Sequence, residues 1–211
     1  MGLMSFIITP LAFALIGYLL IYIAFLPSVN TAVGIWNFVT AGGGEHESED
    51  LMINRLDGYT DSVPSSLITF PAVGDRFGEL TIESADIKAP VYFGDSKKIL
   101  NKGIGQYSGS LFVGSGGTVL MSGHNNTYLH TLGEAKVGDR VLLSTNYGDY
   151  VYEIQEVGVK YAHDSKAFDL SAEYENLVLY TCYPFNALGL TKQRYFVYCK
   201  YISGPKILYD E

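Results

Sequence analysis

Only two cysteines, Cys182 and Cys199, occur in the 211 residues. That excludes a disulfide-framed scaffold and a zinc site built on clustered thiolates. A Cys182–Cys199 bridge is the single pairing available, and forming it would leave no thiol free for chemistry. Basic residues are scarce as well: 14 Lys and Arg stand against 22 Asp and Glu, for a net charge of −8. On that balance no nucleic-acid partner is expected, because phosphates require clustered Lys and Arg. Charge of either sign is missing from Met1 to Gly44, and the first charged side chain is Glu45. The basic start of a cleaved signal peptide is therefore not found here. The apolar run is also longer than the roughly 7–15 residues of such a peptide. No internal repeats occur, and no low-complexity tract follows residue 50.

What the first 44 residues do hold is hydrocarbon. Leu3 to Leu26 is a run of mostly large apolar side chains, with Thr9-Pro10 near its start and Pro27 just past its end. About 20 residues of helix cross a hydrocarbon core, so a transmembrane helix is expected over residues 3–26. A helix apolar on all sides would have no solvent face to offer in a soluble core. The small-residue stretch Val39-Thr40-Ala41 lies too far beyond Leu26 to serve as a cleavage site. Val29, Val33 and Trp36 recur at helical spacing and suggest an interfacial helix over 28–39. Orientation cannot be read from flanking charge, since the first basic residue is Arg55. The expected organisation is a membrane anchor over 1–40, a linker and irregular segment over 41–70, and a folded domain over 71–211.

From Phe77 onward the pattern is that of strands. Phe77–Ser84, Ile87–Phe93, Leu177–Cys182 and Arg194–Ile202 read as strands, Gly117–Asn125 as a buried strand ending at Gly-His, and Tyr and Phe are abundant overall, as half-buried pleated surfaces favour. A hairpin is expected over 139–161, turning near Asn146–Asp149, and short helices over 94–102 and 128–136. Seven or more short strands with brief helices argue an all-β sandwich or barrel. A closed barrel would also leave no exposed edge.

The chemistry-bearing residues sit at strand ends. Cys182 closes an apolar strand, so its thiol belongs at the sheet rim. A nearby cation turns a thiol into the nucleophilic thiolate. Arg194 opens the next strand, and antiparallel neighbours joined by a loop bring those two positions together. His124 also ends a buried strand, after Ser122-Gly123, and joins them only if that strand packs beside 177–182. Read singly, each residue has a plain alternative: an inert core thiol, a satisfied imidazole, a solvated guanidinium.

Taken in order, "SGH" at 122–124, "LVLYTC" at 177–182 and "QRYFVY" at 193–198 resemble the sortase family, membrane-anchored cysteine transpeptidases of Gram-positive surfaces. The family hallmark has Thr where Val178 stands, a structural position. The resemblance covers Phe77 to Ile202 and the anchor. It implies a closed sortase-type β-barrel of seven to eight strands with short helices, preceded by the transmembrane helix. It implies Cys182 as nucleophile, His124 as general acid and base, and Arg194 as the oxyanion and substrate cation. Thr181 and Ser122 follow as substrate contacts, and the loop Tyr183–Gln193 as a border of the site. Neither cofactor nor metal is implied. The implied partners are secreted proteins bearing a C-terminal LPxTG-like sorting signal, with a peptidoglycan precursor or a pilin-type lysine as amine acceptor, and the lipid bilayer. The implied location is the cell membrane, single-pass, with a cytoplasmic N-terminus and an extracellular catalytic domain.

Within the family, "TCYPF" and the short Cys-to-Arg loop look most like class D. Residues 45–75 have no Asp-Pro-aromatic lid motif, and no apolar run follows residue 202, both of which count against class C. Calcium ligation by Glu153, Glu156, Asp164 and Asp169 is less expected than solvated loop charge. His46, His130 and His163 are expected to be structural or exposed, and Cys199 to be a core residue. Asn125-Asn126-Thr127 is a coincidental glycosylation sequon. The rivals are another cell-wall cysteine enzyme, L,D-transpeptidase-like or a peptidase, and a non-catalytic membrane-tethered β-barrel that binds a partner.

Overall fold

Alternation decides which side chains face inward. In Arg140–Thr145 the residues Val141, Leu143 and Thr145 are buried while Arg140 and Leu142 are exposed, the period-2 signature of a half-buried strand. The computed structural model describes residues 15–18, 48–187 and 191–209. Among these described residues ten strands form: β1 (Ser62–Pro64), β2 (Arg76–Ile82), β3 (Ile87–Phe93), β4 (Ile104–Gln106), β5 (Thr118–Gly123), β6 (Arg140–Thr145), β7 (Gly148–Tyr161), β8 (Asn176–Tyr183), β9 (Gln193–Ser203) and β10 (Lys206–Leu208). Eight close into a barrel in the order β2-β3-β4-β5-β8-β9-β7-β6, and β1 pairs in parallel with β10 as a separate two-stranded sheet. The expected all-β barrel of seven to eight strands is therefore present.

Inward-facing residues fill the barrel. Leu80, Met121, Leu143, Leu177, Leu179 and Val197 have no exposed surface and belong to one core. The opposite face of β8 and its neighbours carries a second, smaller cluster of Leu120, Ala167, Val178 and Phe196, with Tyr180 and Tyr198 against it. This outer cluster sits under the connection between β7 and β8, where the Tyr198 hydroxyl donates to the Ala167 carbonyl at 2.7 Å. Residues 51–70 are irregular but packed: Leu51, Val63 and Ile68 enter the core, and Leu56 N donates to Asn146 O at 2.7 Å.

Two short helices were expected. The first is Lys97–Leu100. In place of a helix over 128–136 the chain makes turns and a single 3-10 turn, Leu132–Glu134. Gly133 lies under the Phe185 ring, where an added Cβ would come within 2.6 Å of it. Leu129 and Leu132 are both fully buried, so tertiary packing shapes this segment.

The chain forms two compact units, Met1–Glu45 and His46–Glu211. Residues 15–18 are helical. The rest of the expected transmembrane helix over 3–26, the interfacial helix over 28–39 and most of the linker lie outside the described residues. Among the described residues no helix is long and apolar enough to cross a membrane.

Candidate active site

On β8 the side chains of Leu177, Leu179 and Thr181 point into the barrel, so Val178, Tyr180 and Cys182 point out. Cys182 is half-buried on that outer face. Its antiparallel partner on β9 is Arg194, and directly opposed residues share a face. On the other side β5 runs parallel to β8, and their last register pair is Gly123–Thr181. His124 is the next residue after Gly123, as Cys182 is after Thr181, so His124 and Cys182 stand level. The sheet thus pairs Cys182 with Arg194 on adjacent strands and brings His124, one residue past the end of β5, to the strand on the other side of β8.

The surrounding bonds hold this row in place. The Thr181 hydroxyl, buried, donates to Gly123 O at 2.7 Å and ties β8 to β5 just behind the pair. Arg194 Nη1 donates to Thr191 O at 2.8 Å, to Gln193 O at 2.9 Å and to Thr191 Oγ1 at 3.0 Å. All three bonds use one nitrogen, which leaves Nε and Nη2 without a hydrogen-bond partner among the described residues. Ser122, also buried, pairs across the sheet with Tyr180 and Gly105. Burial pushes the Tyr180 hydroxyl above its usual range, while its hydrogen bond to Ser122 and the Arg194 charge pull it back. Thr181 thus has its hydroxyl committed inside the protein, and Ser122 stands beside Tyr180 on the neighbouring strand.

Two residues that sequence reasoning passed over belong here. Tyr180 lies one pleat from Cys182 and stacks on Phe196, with centroids 5.4 Å apart. Asn125 is buried, and its Nδ2 donates to Pro184 O at 3.0 Å and Phe185 O at 3.2 Å. Its place directly after His124 was the available signal. Further along the outer face a separate cleft of about 460 Å³ is lined by Val178, Tyr198, Ala167 and Phe168 among others, and neither Cys182 nor Tyr180 borders it.

The other candidates lie elsewhere. Cys199 is in the core opposite Leu177, and both cysteines are free. Burial pushes the Cys199 thiol up to about 12, so it stays protonated at neutral pH. Iodoacetamide on the native chain is expected to modify one thiol, Cys182, with Cys199 reacting only after unfolding; intact-mass measurement of adduct number checks this. His163 lies beside Tyr161, 5.6 Å between ring centroids, and His130 is exposed; His46 lies outside the described residues. Glu153 pairs with Lys200 at 3.0 Å, and Asp164 and Asp169 accept from Lys166 N and Ser171 N. No grouping of three or more His, Cys, Asp or Glu able to hold a metal occurs among the described residues.

The Sortase domain family model matches residues 80–202, which includes the whole row. The chain belongs to the sortase family. It is 32% identical over 144 residues to Sortase D of Bacillus subtilis (strain 168), covering 68% of this chain and 73% of that protein. Among solved structures, a Clostridium perfringens sortase D5 transpeptidase matches with a TM-score of 0.56 at 23% identity, over 62% of this chain and 81% of that one. Sortase C from Clostridium perfringens SM101 matches with a TM-score of 0.55 at 27% identity, over 62% of this chain and 72% of that one. This sortase is accordingly a cysteine transpeptidase, most like class D. The L,D-transpeptidase-like, peptidase and non-catalytic readings are set aside.

Proposed function

We propose that this sortase cleaves an LPxTG-like sorting signal and passes the cut protein to an amine. The supporting observation is the register: Arg194 opposite Cys182, and His124 level with it on the far side. In this reading the Cys182 thiolate attacks the carbonyl of the signal's Thr. Arg194 stabilises the oxyanion of the tetrahedral intermediate, and His124 protonates the departing glycine amine. The resulting thioester is discharged when His124 takes a proton from the incoming amine. In this reading the residues upstream of the scissile bond lie along the outer face of β8 beside Tyr180, with Ser122 next to it on β5, while Thr181, which faces the barrel interior, supports Cys182 from behind. Mixed chemistry there, aromatic with a few polar groups, suits a peptide of that kind.

The acceptor in this proposal is an amine of a peptidoglycan precursor or a lysine of another surface protein. The N-terminal apolar run anchors the enzyme in the cell membrane, with its N-terminus cytoplasmic and its barrel outside. Anchoring would raise the effective concentration of two substrates that are both made at the membrane. The test is incubation of the 211-residue chain with labelled LPxTG-type peptides and hydroxylamine. Peptide hydroxamate is the expected product, and no product across a panel of sorting signals would refute the assignment.

A further inference from the structure

Cys182 is in β8 and His124 is the residue just past the end of β5. The β5–β8 ladder ends at Gly123–Thr181, one residue before each of them, and no longer sets the distance between the two chains there. Behind the pair, the Thr181–Gly123 bond at 2.7 Å fixes it. In front of the pair one side chain does the same. Asn125 Nδ2 reaches across from the His124 side to two successive carbonyls on the Cys182 side, Pro184 O at 3.0 Å and Phe185 O at 3.2 Å. Asn125 is only 9% exposed, so the bridge is shielded from competing water.

The far anchor of that bridge is itself seated. The Phe185 ring packs on Gly133, leaving no room for a Cβ there. It also lies 5.2 Å, centroid to centroid, from Tyr195, the residue after Arg194. A displacement of the Pro184–Phe185 backbone would therefore be felt at all three members of the row. Reaction geometry is steep in distance: a misplacement of about 1 Å can cost about 10²-fold in rate.

We infer that Asn125 is a positioning residue, a side-chain clamp that sets the separation of His124 and Cys182 from the front as Thr181 does from behind. This rests on the proposed roles of His124 and Cys182. It does not require Asn125 to touch substrate, so loss of the clamp acts on turnover and leaves substrate affinity alone.

The experiment uses the 211-residue chain, with wild type and Cys182→Ala run alongside. An active wild type and an inactive Cys182→Ala establish the underlying roles independently of Asn125, and inactivity of the wild type would count against those roles. With Asn125→Ala, kcat for hydroxylaminolysis is expected to fall about 10- to 100-fold, KM to stay within about twofold, and the melting temperature to change little. Asn125→Asp keeps the shape but replaces the donor with an acceptor that faces two carbonyls. It is expected to lose at least as much in kcat, and it decides the matter if the alanine variant does not fold. A folded variant of either kind with wild-type kcat would overturn the inference. So would an unchanged kcat with a raised KM, which would make Asn125 a substrate contact.

Discussion

Cys182→Ala is expected to fold with the wild-type melting temperature and to make no product. The side chain stands on the outer face of β8, half-buried and outside the barrel core. Its removal therefore costs little of the apolar burial that holds the barrel together. If Cys182 is the nucleophile as proposed, no second thiol can take its place. Cys199 faces the interior five residues along the neighbouring strand, and burial keeps it protonated. Removing a covalent nucleophile from a unit of cooperating groups lowers turnover by about 10⁴–10⁶-fold. Hydroxamate formation and circular dichroism on the same sample check both halves. Residual turnover above a hundredth of wild type would place the nucleophile elsewhere.

Arg194→Ala is expected to lower kcat by about 10²–10³-fold, the usual loss on removing one oxyanion donor. Arg194→Lys is expected to recover little of it. The reason lies in how the guanidinium is held. Nη1 is engaged by Thr191 O, Thr191 Oγ1 and Gln193 O, and in the proposed role Nε and Nη2 are the nitrogens left to bind the oxyanion. An ammonium is a point charge on a flexible stem. It cannot bind the loop carbonyls with one nitrogen and the oxyanion with another. Steady-state kinetics of the two variants against wild type decide this. A lysine variant with near-wild-type kcat would reduce the role of Arg194 to charge alone.

The strands that carry the row were legible because they are long enough to show their character. β5, β8 and β9 are six, eight and eleven residues, each with an apolar run long enough to read as a strand. The Cys182–Arg194 pairing followed from a single loop between adjacent strands. The position of His124 did not follow in the same way. It depends on β5 lying parallel beside β8, a pairing made across the intervening β6 and β7, and no local pattern encodes that adjacency. β4 escaped notice because it has three residues, Ile104–Gln106, too few to display a period. β1 and β10 are equally short; β1 lies in the segment expected to be irregular, and no strand is expected at β10. Asn125 was taken for a chance sequon since its partners, Pro184 and Phe185, lie some sixty positions away. Tyr180 carries no local signal in the sequence, because its neighbour Ser122 stands opposite it only once β5 and β8 pair.

The most direct measurement is the mass of the enzyme itself during turnover. The 211-residue chain is mixed with an LPxTG-type peptide, quenched in acid and digested. The expected result is a mass increase, equal to the peptide up to its Thr, on the fragment that contains Cys182 and discharged by hydroxylamine. Cleavage of the peptide with that fragment unmodified, or an adduct on any other side chain, would contradict a thioester at the head of this three-strand row.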